Sequence, residues 1–165
     1  MLRAYNGKYF KSQTLVSPHC LDIVFNNAWF ELLTAYELSK NEMVKEIWMN
    51  CFFKSTQKRT KNEIDIILDM GTKLFFVECK TKVFNTTDID KFHSAIKNFS
   101  GTSSKGIFVT LDEHKGNYDK VYQQAMEKCK DNNILTFNFS EYSDETRTLE
   151  LNRIINEDLT TSNIR

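Results

Sequence analysis

Three charged side chains near the middle of the chain, Asp65, Glu78 and Lys80, have the types and spacing of a metal-dependent hydrolytic site. They belong to two short runs rich in β-branched and aromatic residues, 62–69 and 73–80, which are separated by the turn-forming segment 70–72. A hairpin with one strand from each run brings the start of the first strand beside the end of the second. We therefore expect the carboxylates of Asp65 and Glu78 to converge, with Lys80 next to them.

Side chains alternate between the two faces of a strand, and this alternation predicts how the hairpin is oriented. In the first strand, Glu63 and Asp65 are expected on one face, and Ile64, Ile66 and Leu68 on the other. In the second strand, Glu78 and Lys80 are expected to share a face. The pattern thus predicts a charged face and an apolar face.

Two carboxylates and an ammonium beside apolar residues are costly to bury unless they are paired or bind a cation. Mg²⁺ or Mn²⁺ prefers oxygen ligands and leaves coordination positions for phosphate oxygens. Such an ion can lower the pKa of bound water and stabilise charge on an attacked phosphate, and Lys80 could orient that water or neutralise the phosphate. The chemistry indicated is phosphodiester hydrolysis, and the alternative is an edge hairpin with a surface salt bridge.

These residues resemble the metal site of the PD-(D/E)xK nuclease superfamily, in which an Asp, a Glu and a Lys lie on a hairpin. Residues 62–65 and 77–81, Asn-Glu-Ile-Asp and Val-Glu-Cys-Lys-Thr, look like the N-E-[LI]-D and [IV]-E-C-K-T signatures of CRISPR-associated Card/Can-type endonucleases. Residues 25–31, Phe-Asn-Asn-Ala-Trp-Phe-Glu, resemble the helix segment that precedes them in that family. The motifs agree in order and cover roughly residues 20 to 111.

The resemblance implies a role for each matched position. Asp65 and Glu78 would be metal ligands, the Cys79 carbonyl a further ligand, Lys80 the catalytic lysine and Glu31 an accessory helix carboxylate. It also implies DNA as substrate, with RNA not excluded, a Mg²⁺ or Mn²⁺ cofactor, and a homodimer, because cutting two strands calls for two sites.

The chain departs from this family in two ways. Asn27-Ala28 replaces the expected glycine pair before the tryptophan, and Ser100-Gly101 replaces a later double glycine. Family members of this type also carry an N-terminal CARF domain that senses cyclic oligoadenylate. A chain of 165 residues is too short for both domains, so we expect a stand-alone relative or an excised nuclease domain.

A helix is predicted to start after Ser17-Pro18, which suit a helix cap and first position. Its apolar stripe is expected to pack on a sheet, with Trp29 as a core anchor and Glu31 off the stripe, beside Ala28 and Ala35. The members of that stripe are Leu21, Val24, Phe25, Ala28, Trp29, Leu32 and Tyr36.

The remaining periodicity predicts an α/β fold, a restriction-endonuclease-like core with a mixed β-sheet flanked by helices. Residues 1–17 are expected to be an N-terminal arm or linker, and residues 18–165 the nuclease domain. The further elements expected are strands over 44–54, 105–111 and 134–139 and helices over 88–99, 118–130 and 140–159.

Composition excludes several classes of protein. The chain has 41% hydrophobic residues, no apolar run long enough to span a bilayer and no signal-peptide core, which indicates a cytoplasmic protein without membrane contact. Its cysteines lack C-x-x-C spacing, so neither a zinc site nor disulfides are expected. No phosphate-binding glycine motif is present, and the predicted nuclease needs no ATP.

The formal net charge of zero does not by itself indicate nucleic-acid binding, but the basic residues are grouped. Most of them form a segment that leads into the Asp65 strand, and another follows Lys80. We expect these side chains to contact a phosphate backbone, the alternative being a solvated loop; they are Lys54, Lys58, Arg59, Lys61 and Lys82.

The sequence therefore predicts a Mg²⁺- or Mn²⁺-dependent endonuclease that hydrolyses DNA. One alternative is a non-catalytic nucleic-acid or protein interaction domain that keeps the nuclease fold, although the intact Asp65, Glu78 and Lys80 speak against a decayed site. The other is a junction resolvase or restriction-type nuclease, which a requirement for four-way junctions or a fixed recognition sequence would identify.

Overall fold

The computed structural model of the protein describes residues 28–53, 62–99, 101, 104–113 and 119–162. Several predictions fall outside these residues: the N-terminal arm, the boundary at residues 17 and 18, the first part of the opening helix, and the basic segment from Lys54 to Lys61.

Five strands form one mixed sheet in which spatial order follows chain order. The strands are β1 (Glu46–Phe53), β2 (Asn62–Asp69), β3 (Leu74–Lys80), β4 (Lys105–Thr110) and β5 (Leu135–Asn138). Neighbouring strands are antiparallel from β1 to β3 and parallel from β3 to β5. The predicted mixed sheet is confirmed. A tight turn joins the antiparallel strands β2 and β3, whereas helical crossovers join the parallel strands β3, β4 and β5.

Within the described residues, four helices cover the two faces of this sheet: α1 (Ala28–Ser39), α2 (Thr87–Phe99), α3 (Asp119–Asp131) and α4 (Asp144–Ser162). Helices α1 and α4 pack with one buried cluster, which we call the first face, and α2 and α3 pack with the other, the second face. A short 3₁₀ turn over 139–141 joins β5 to α4. None of the helices in the described part of the chain is long and apolar enough to cross a membrane.

The crossover helix α2 lies very close to β4 at Gly106. A Cβ atom at this position would come within 2.4 Å of Ile96 Cδ1 and 3.2 Å of a Phe92 ring carbon. A side chain at this position would therefore require the Ile96 side chain to shift and the Phe92 ring to give way slightly. This close approach keeps the helix against the strand that runs beside β3.

Helix α1 packs on the sheet, as predicted, but with a different face. Phe30 and Leu38 are buried, whereas Trp29 is 38% exposed and Tyr36 is 61% exposed. The prediction of Trp29 as a core anchor was wrong, because tertiary packing places the stripe of Phe30, Thr34 and Leu38 against the sheet. Glu31 lies in line with this buried stripe and not beside it, as positions three, four and seven apart share a helix face.

Candidate active site

The candidate site lies where strands β2 and β3 separate. Their antiparallel ladder runs from Asp69 opposite Leu74 to Ile66 opposite Val77 and ends there. The next positions would place Asp65 opposite Glu78 and Ile64 opposite Cys79. Glu78 and Lys80 stay in the sheet through their parallel pairing with β4. The gap between the two strands therefore opens at the predicted catalytic residues.

Asp65 fills this gap with its side chain. Its Oδ2 accepts a hydrogen bond of 2.8 Å from the backbone N–H of Cys79, which a regular ladder would have paired with β2 backbone. One oxygen of the carboxylate is thus fixed by the main chain, and the other keeps the lone pairs that a cation or a donor can use. The contact holds Asp65 in the plane of the sheet, between the strands.

The same hydrogen bond determines where the Cys79 carbonyl points. In an extended strand the N–H and C=O of one residue point to the same side. The Cys79 N–H points toward β2, so its carbonyl also points into the gap, while the Lys80 carbonyl accepts from Leu111 N beyond β4. Burial, with Asp65 next, raises the pKa of the Cys79 thiol well above its usual range. The carbonyl, and not the thiol, is the group that suits a cation here.

Glu78 and Lys80 form an ion pair on the second face, as the predicted alternation requires. Lys80 Nζ donates a 2.6 Å hydrogen bond to Glu78 Oε1, and both side chains are largely shielded from solvent. Burial lowers the pKa of Lys80, but Glu78 and Asp65 outweigh this effect and raise it. The ammonium is therefore held in its charged form next to the two carboxylates.

The carboxylates are crowded enough to affect one another. Burial and the neighbouring Asp65 raise the pKa of Glu78 to about 7. Burial, Asp65 and Glu63 raise the pKa of Glu31 on α1 to about 7. Burial likewise raises the pKa of Asp65, despite the Cys79 N–H and Lys80. Asp65 is thus the centre of the group, with Glu31 on one side and Glu78 on the other.

The donor atoms here are those that Mg²⁺ or Mn²⁺ prefers, namely carboxylate oxygens and a backbone carbonyl, partly shielded from solvent. Burial first, and repulsion between the carboxylates second, raises the pKa values of Glu31 and Glu78, and a nearby divalent cation would favour their ionised forms. Among the described residues, however, no three Asp, Glu, His or Cys side chains lie close enough to hold one ion. Glu78 is turned to Lys80, so ligation requires rotation of at least one side chain.

The segment that follows Lys80 is fixed by a residue that the sequence did not single out. Buried Asp112 accepts a 3.1 Å hydrogen bond from the Val83 N–H through Oδ2. Its own carbonyl accepts from Asn138 Nδ2 at 2.9 Å and from Ser140 Oγ at 2.7 Å. The turn after β3 is therefore tied to the ends of β4 and β5. The sequence does show an Asp soon after the end of β4, but no local pattern indicates that its side chain contacts Val83.

Lys82 is the one predicted phosphate-contacting residue that the structure describes. It is exposed on the turn after β3, and its Nζ lies 5.8 Å from the centre of the exposed Phe84 ring. Lys54, Lys58, Arg59 and Lys61 lie outside the described residues. Strand β1 ends at Phe53, before this basic segment, and β2 begins at Asn62, after it. Phe53 pairs with Asn62, so both ends of the segment lie at the Asp65 end of the hairpin.

Two solved structures resemble the chain over most of its length. The protein VC1899 from Vibrio cholerae superposes with a TM-score of 0.68 at 16% sequence identity, covering 88% of this chain and 38% of its own. Can2 from Sulfobacillus thermosulfidooxidans, solved in complex with cyclic tetra-adenylate, superposes with a TM-score of 0.61 at 22% identity, covering 86% of this chain and 38% of its own. The chain has a restriction-endonuclease-like fold.

The fold expected from the hairpin and helix motifs is thereby confirmed, and so is the structural likeness to a Can-type protein. Neither a protein-family model nor a curated protein sequence matches the chain. The chain spans 38% of the length of each of these two structures. What those whole proteins do is therefore a matter for proposal.

Proposed function

We propose that this chain is a metal-dependent nuclease that hydrolyses phosphodiester bonds, with DNA as the preferred substrate. The observation that carries the proposal is the position of Asp65, Glu78 and Lys80 where β2 and β3 separate, in a restriction-endonuclease-like fold. Asp65, Glu78 and the Cys79 carbonyl would hold the cation, with Glu31 as an accessory ligand. When bound, a divalent cation supplies positive charge that acidifies water and offsets charge on the phosphate.

The residues of the chain have separate tasks in this proposal. Asp65, held by the Cys79 N–H, is a fixed acceptor in the gap between the strands. Lys80 is kept protonated by Glu78 and Asp65, so it can stabilise negative charge that develops on the attacked phosphate. Glu78 would serve as a cation ligand, which requires its carboxylate to turn away from Lys80.

Basic residues near this site would bind the phosphate backbone. Lys82 lies on the turn that follows Lys80, and the segment from Lys54 to Lys61 joins the two strands at the Asp65 end. Each phosphate contact adds to the salt dependence of binding. A second copy of the chain is the proposed partner for cleavage of both strands of a duplex.

In a longer protein, a further domain would decide when the site acts. Can2 was solved in complex with cyclic tetra-adenylate, and this chain matches 38% of it. A cyclic oligoadenylate is therefore the proposed activator of any larger assembly that contains this nuclease. Addition of cyclic tetra-adenylate to the 165-residue chain is expected to leave its rate unchanged.

The decisive experiment is cleavage of single-stranded, duplex and supercoiled DNA, and of RNA, in Mn²⁺, Mg²⁺ or EDTA. Asp65→Asn, Glu78→Gln and Lys80→Ala should each lower the rate by about a hundredfold or more, in the range of lost charge stabilisation at a catalytic site. Two matched controls should keep the wild-type rate. They are Asp69→Asn, on the same strand as Asp65, and Lys91→Ala, which removes an exposed side chain of α2.

Cleavage that survives EDTA, or that survives both Asp65→Asn and Lys80→Ala, would contradict the proposed chemistry. Binding of nucleic acid by a wild-type chain that cuts none of the substrates would instead favour the interaction domain. A junction resolvase would cut four-way junctions far faster than linear duplex, and a restriction-type enzyme would cut at one fixed sequence.

A further inference from the structure

Asn50 on the edge strand β1 has an unusual backbone conformation. Its φ angle is +51°, and in the described part of the chain Asn133 is the other non-glycine residue with positive φ. L-residues pay a steric cost in this region, and Asn pays less than most. Asn50 is exposed, so its conformation does not serve the burial of its own side chain.

Strand β1 changes its phase at this residue. Ile47 and Met49 pack against the cluster on the first face, whereas Cys51 and Phe53 pack against the cluster on the second. Positions two apart share a face in a regular strand, so these residues should all point the same way. The strand therefore rotates by about half a turn between Met49 and Cys51, at Asn50.

Strand β2 changes its phase at the position directly opposite. Ile66 and Leu68 pack on the first face, but Ile64 packs on the second, which corrects the prediction that they share one face. Met49 pairs with Ile66 and Cys51 pairs with Ile64, whereas the intervening positions, Asn50 and Asp65, form no registered pair. The two breaks face each other across the ladder.

The break determines the direction of the Asp65 side chain. In an unbroken strand Asp65 would project from one face of the sheet, above or below the backbone of β3. Between Ile66 on the first face and Ile64 on the second, it projects sideways, and its Oδ2 reaches the in-plane Cys79 N–H at 2.8 Å. Neither strand gains a residue at the break, because the register is the same on both sides of it. The effect nevertheless resembles that of a β-bulge, which re-aims a side chain beside a site.

We propose that Asn50 is a positioning residue, whose left-handed backbone turns the Asp65 carboxylate into the gap between β2 and β3. The role belongs to the backbone of Asn50 and not to its amide group. Asn50→Gly keeps positive φ at no steric cost, whereas Asn50→Val, which is β-branched, disfavours it. The predicted effect on cleavage rests on the proposed nuclease function, whereas the predicted effect on the position of the Asp65 carboxylate does not.

The structural test is amide hydrogen exchange measured by NMR on the folded chain. In Asn50→Val the Cys79 amide should exchange about tenfold faster or more, given the cost of left-handed backbone for such residues, with the Phe108 amide of β4 unchanged. In Asn50→Gly the exchange rate of the Cys79 amide should stay within about threefold of the wild-type rate. Asn133→Val is the matched control, because it strains a residue with φ of +56° that lies before β5 and away from Asp65.

The catalytic test compares the same variants in Mn²⁺. Asn50→Val should lower kcat about tenfold or more with little change in KM, while Asn50→Gly and Asn133→Val keep the wild-type kcat. If Asn50→Val does not fold, Asn50→Ala is used, with a smaller effect in the same direction.

Wild-type exchange at Cys79 in Asn50→Val or Asn50→Ala would overturn the positioning role, whatever the activity. Equal losses in Asn50→Gly and Asn50→Val would also overturn it, since they would assign the effect to the amide group. Absence of cleavage by the wild type would count against the nuclease proposal alone, because the exchange measurement still decides the role of Asn50.

Discussion

At the scale of single residues, the candidate site brings together carboxylates whose ionised forms are disfavoured by burial and by one another. Burial and Asp65 raise the pKa of both Glu31 and Glu78 to about 7. Lys80 compensates part of this charge through its ion pair with Glu78. An arrangement that disfavours its own ionised form is typical of a functional site, because a substrate or cation can supply the missing positive charge.

This crowding predicts how stability depends on pH. An acid whose pKa is higher in the folded state binds more protons when folded, so the free energy of unfolding falls as pH rises between the two pKa values. For Glu31 and Glu78 that window runs from the ordinary value of 4.5 to about 7. The metal-free chain should therefore be less stable to urea at pH 8 than at pH 5.

The same pair of residues provides the control. The double variant Glu31→Gln, Glu78→Gln should flatten this part of the pH profile, whereas Asp69→Asn should not. Mn²⁺ should raise the melting temperature of wild type at pH 8 and have a smaller effect at pH 5, where Glu31 and Glu78 are largely protonated. A pH profile of the double variant that matches wild type would contradict the assignment to these two carboxylates.

At the scale of elements, helix α1 joins the core to the site. Phe30 packs edge-on against Phe139, with 5.1 Å between ring centroids, and Thr34 and Leu38 continue the buried stripe. Glu31 lies on the same side, so the packing that buries Phe30 also directs Glu31 toward Asp65. Trp29, Leu32 and Tyr36 are exposed on the other side of the helix.

Two alanine substitutions on adjacent residues test this orientation of α1. Phe30→Ala should lower the free energy of unfolding by about 3–5 kcal/mol, because the Phe30 side chain is only 1% exposed and its removal leaves a cavity in the core. Trp29→Ala should cost only about 1 kcal/mol, mainly its aromatic contact with Phe30. Urea denaturation measures both, and a larger loss for Trp29→Ala would mean that the other face of α1 is buried.

At the scale of the whole molecule, helix α4 closes the fold at the end of the sheet opposite the site. Asp158 forms ion pairs with Lys73, which precedes β3, and with Lys105, the first residue of β4, the latter at 3.2 Å. These side chains are mostly shielded from solvent. One carboxylate near the end of the chain thus ties the last helix to two central strands.

Loss of that carboxylate should weaken the whole fold without altering the site. Asp158→Ala should lower the free energy of unfolding by about 3–5 kcal/mol, because it leaves two shielded ammonium groups without their shared partner. Asp144→Ala is the control, since that side chain is 91% exposed and its pair with Arg147 should contribute less than about 1 kcal/mol. Cleavage per folded molecule should stay at the wild-type level in both variants.

The position of the candidate site in the fold could be predicted from the sequence, because a hairpin brings together residues that are close along the chain; the metal-ligand and catalytic roles of these residues stay predictions. Alternating β-branched runs predicted the hairpin, and Asp65, Glu78 and Lys80 were recognised from their spacing along it. The strands, the crossover helices and the mixed sheet also followed from periodicity. Local patterns were sufficient here because hairpin and crossover connections depend on segments that are close in the chain.

Tertiary structure decided the direction of those side chains for which simple periodicity failed. Simple alternation placed Ile64 with Ile66, and helical periodicity placed Trp29 in the core, yet both strand phase and helix rotation depend on what packs on either side. The in-plane direction of Asp65 arises from paired breaks at Asn50 and Asp65, residues 15 positions apart in the chain. The sequence by itself determined the chemical groups of the candidate site and the hairpin that brings Asp65 near Glu78. Long-range packing determined the direction of the Asp65 side chain and the approach of Glu31, because no local pattern records a contact between separate elements.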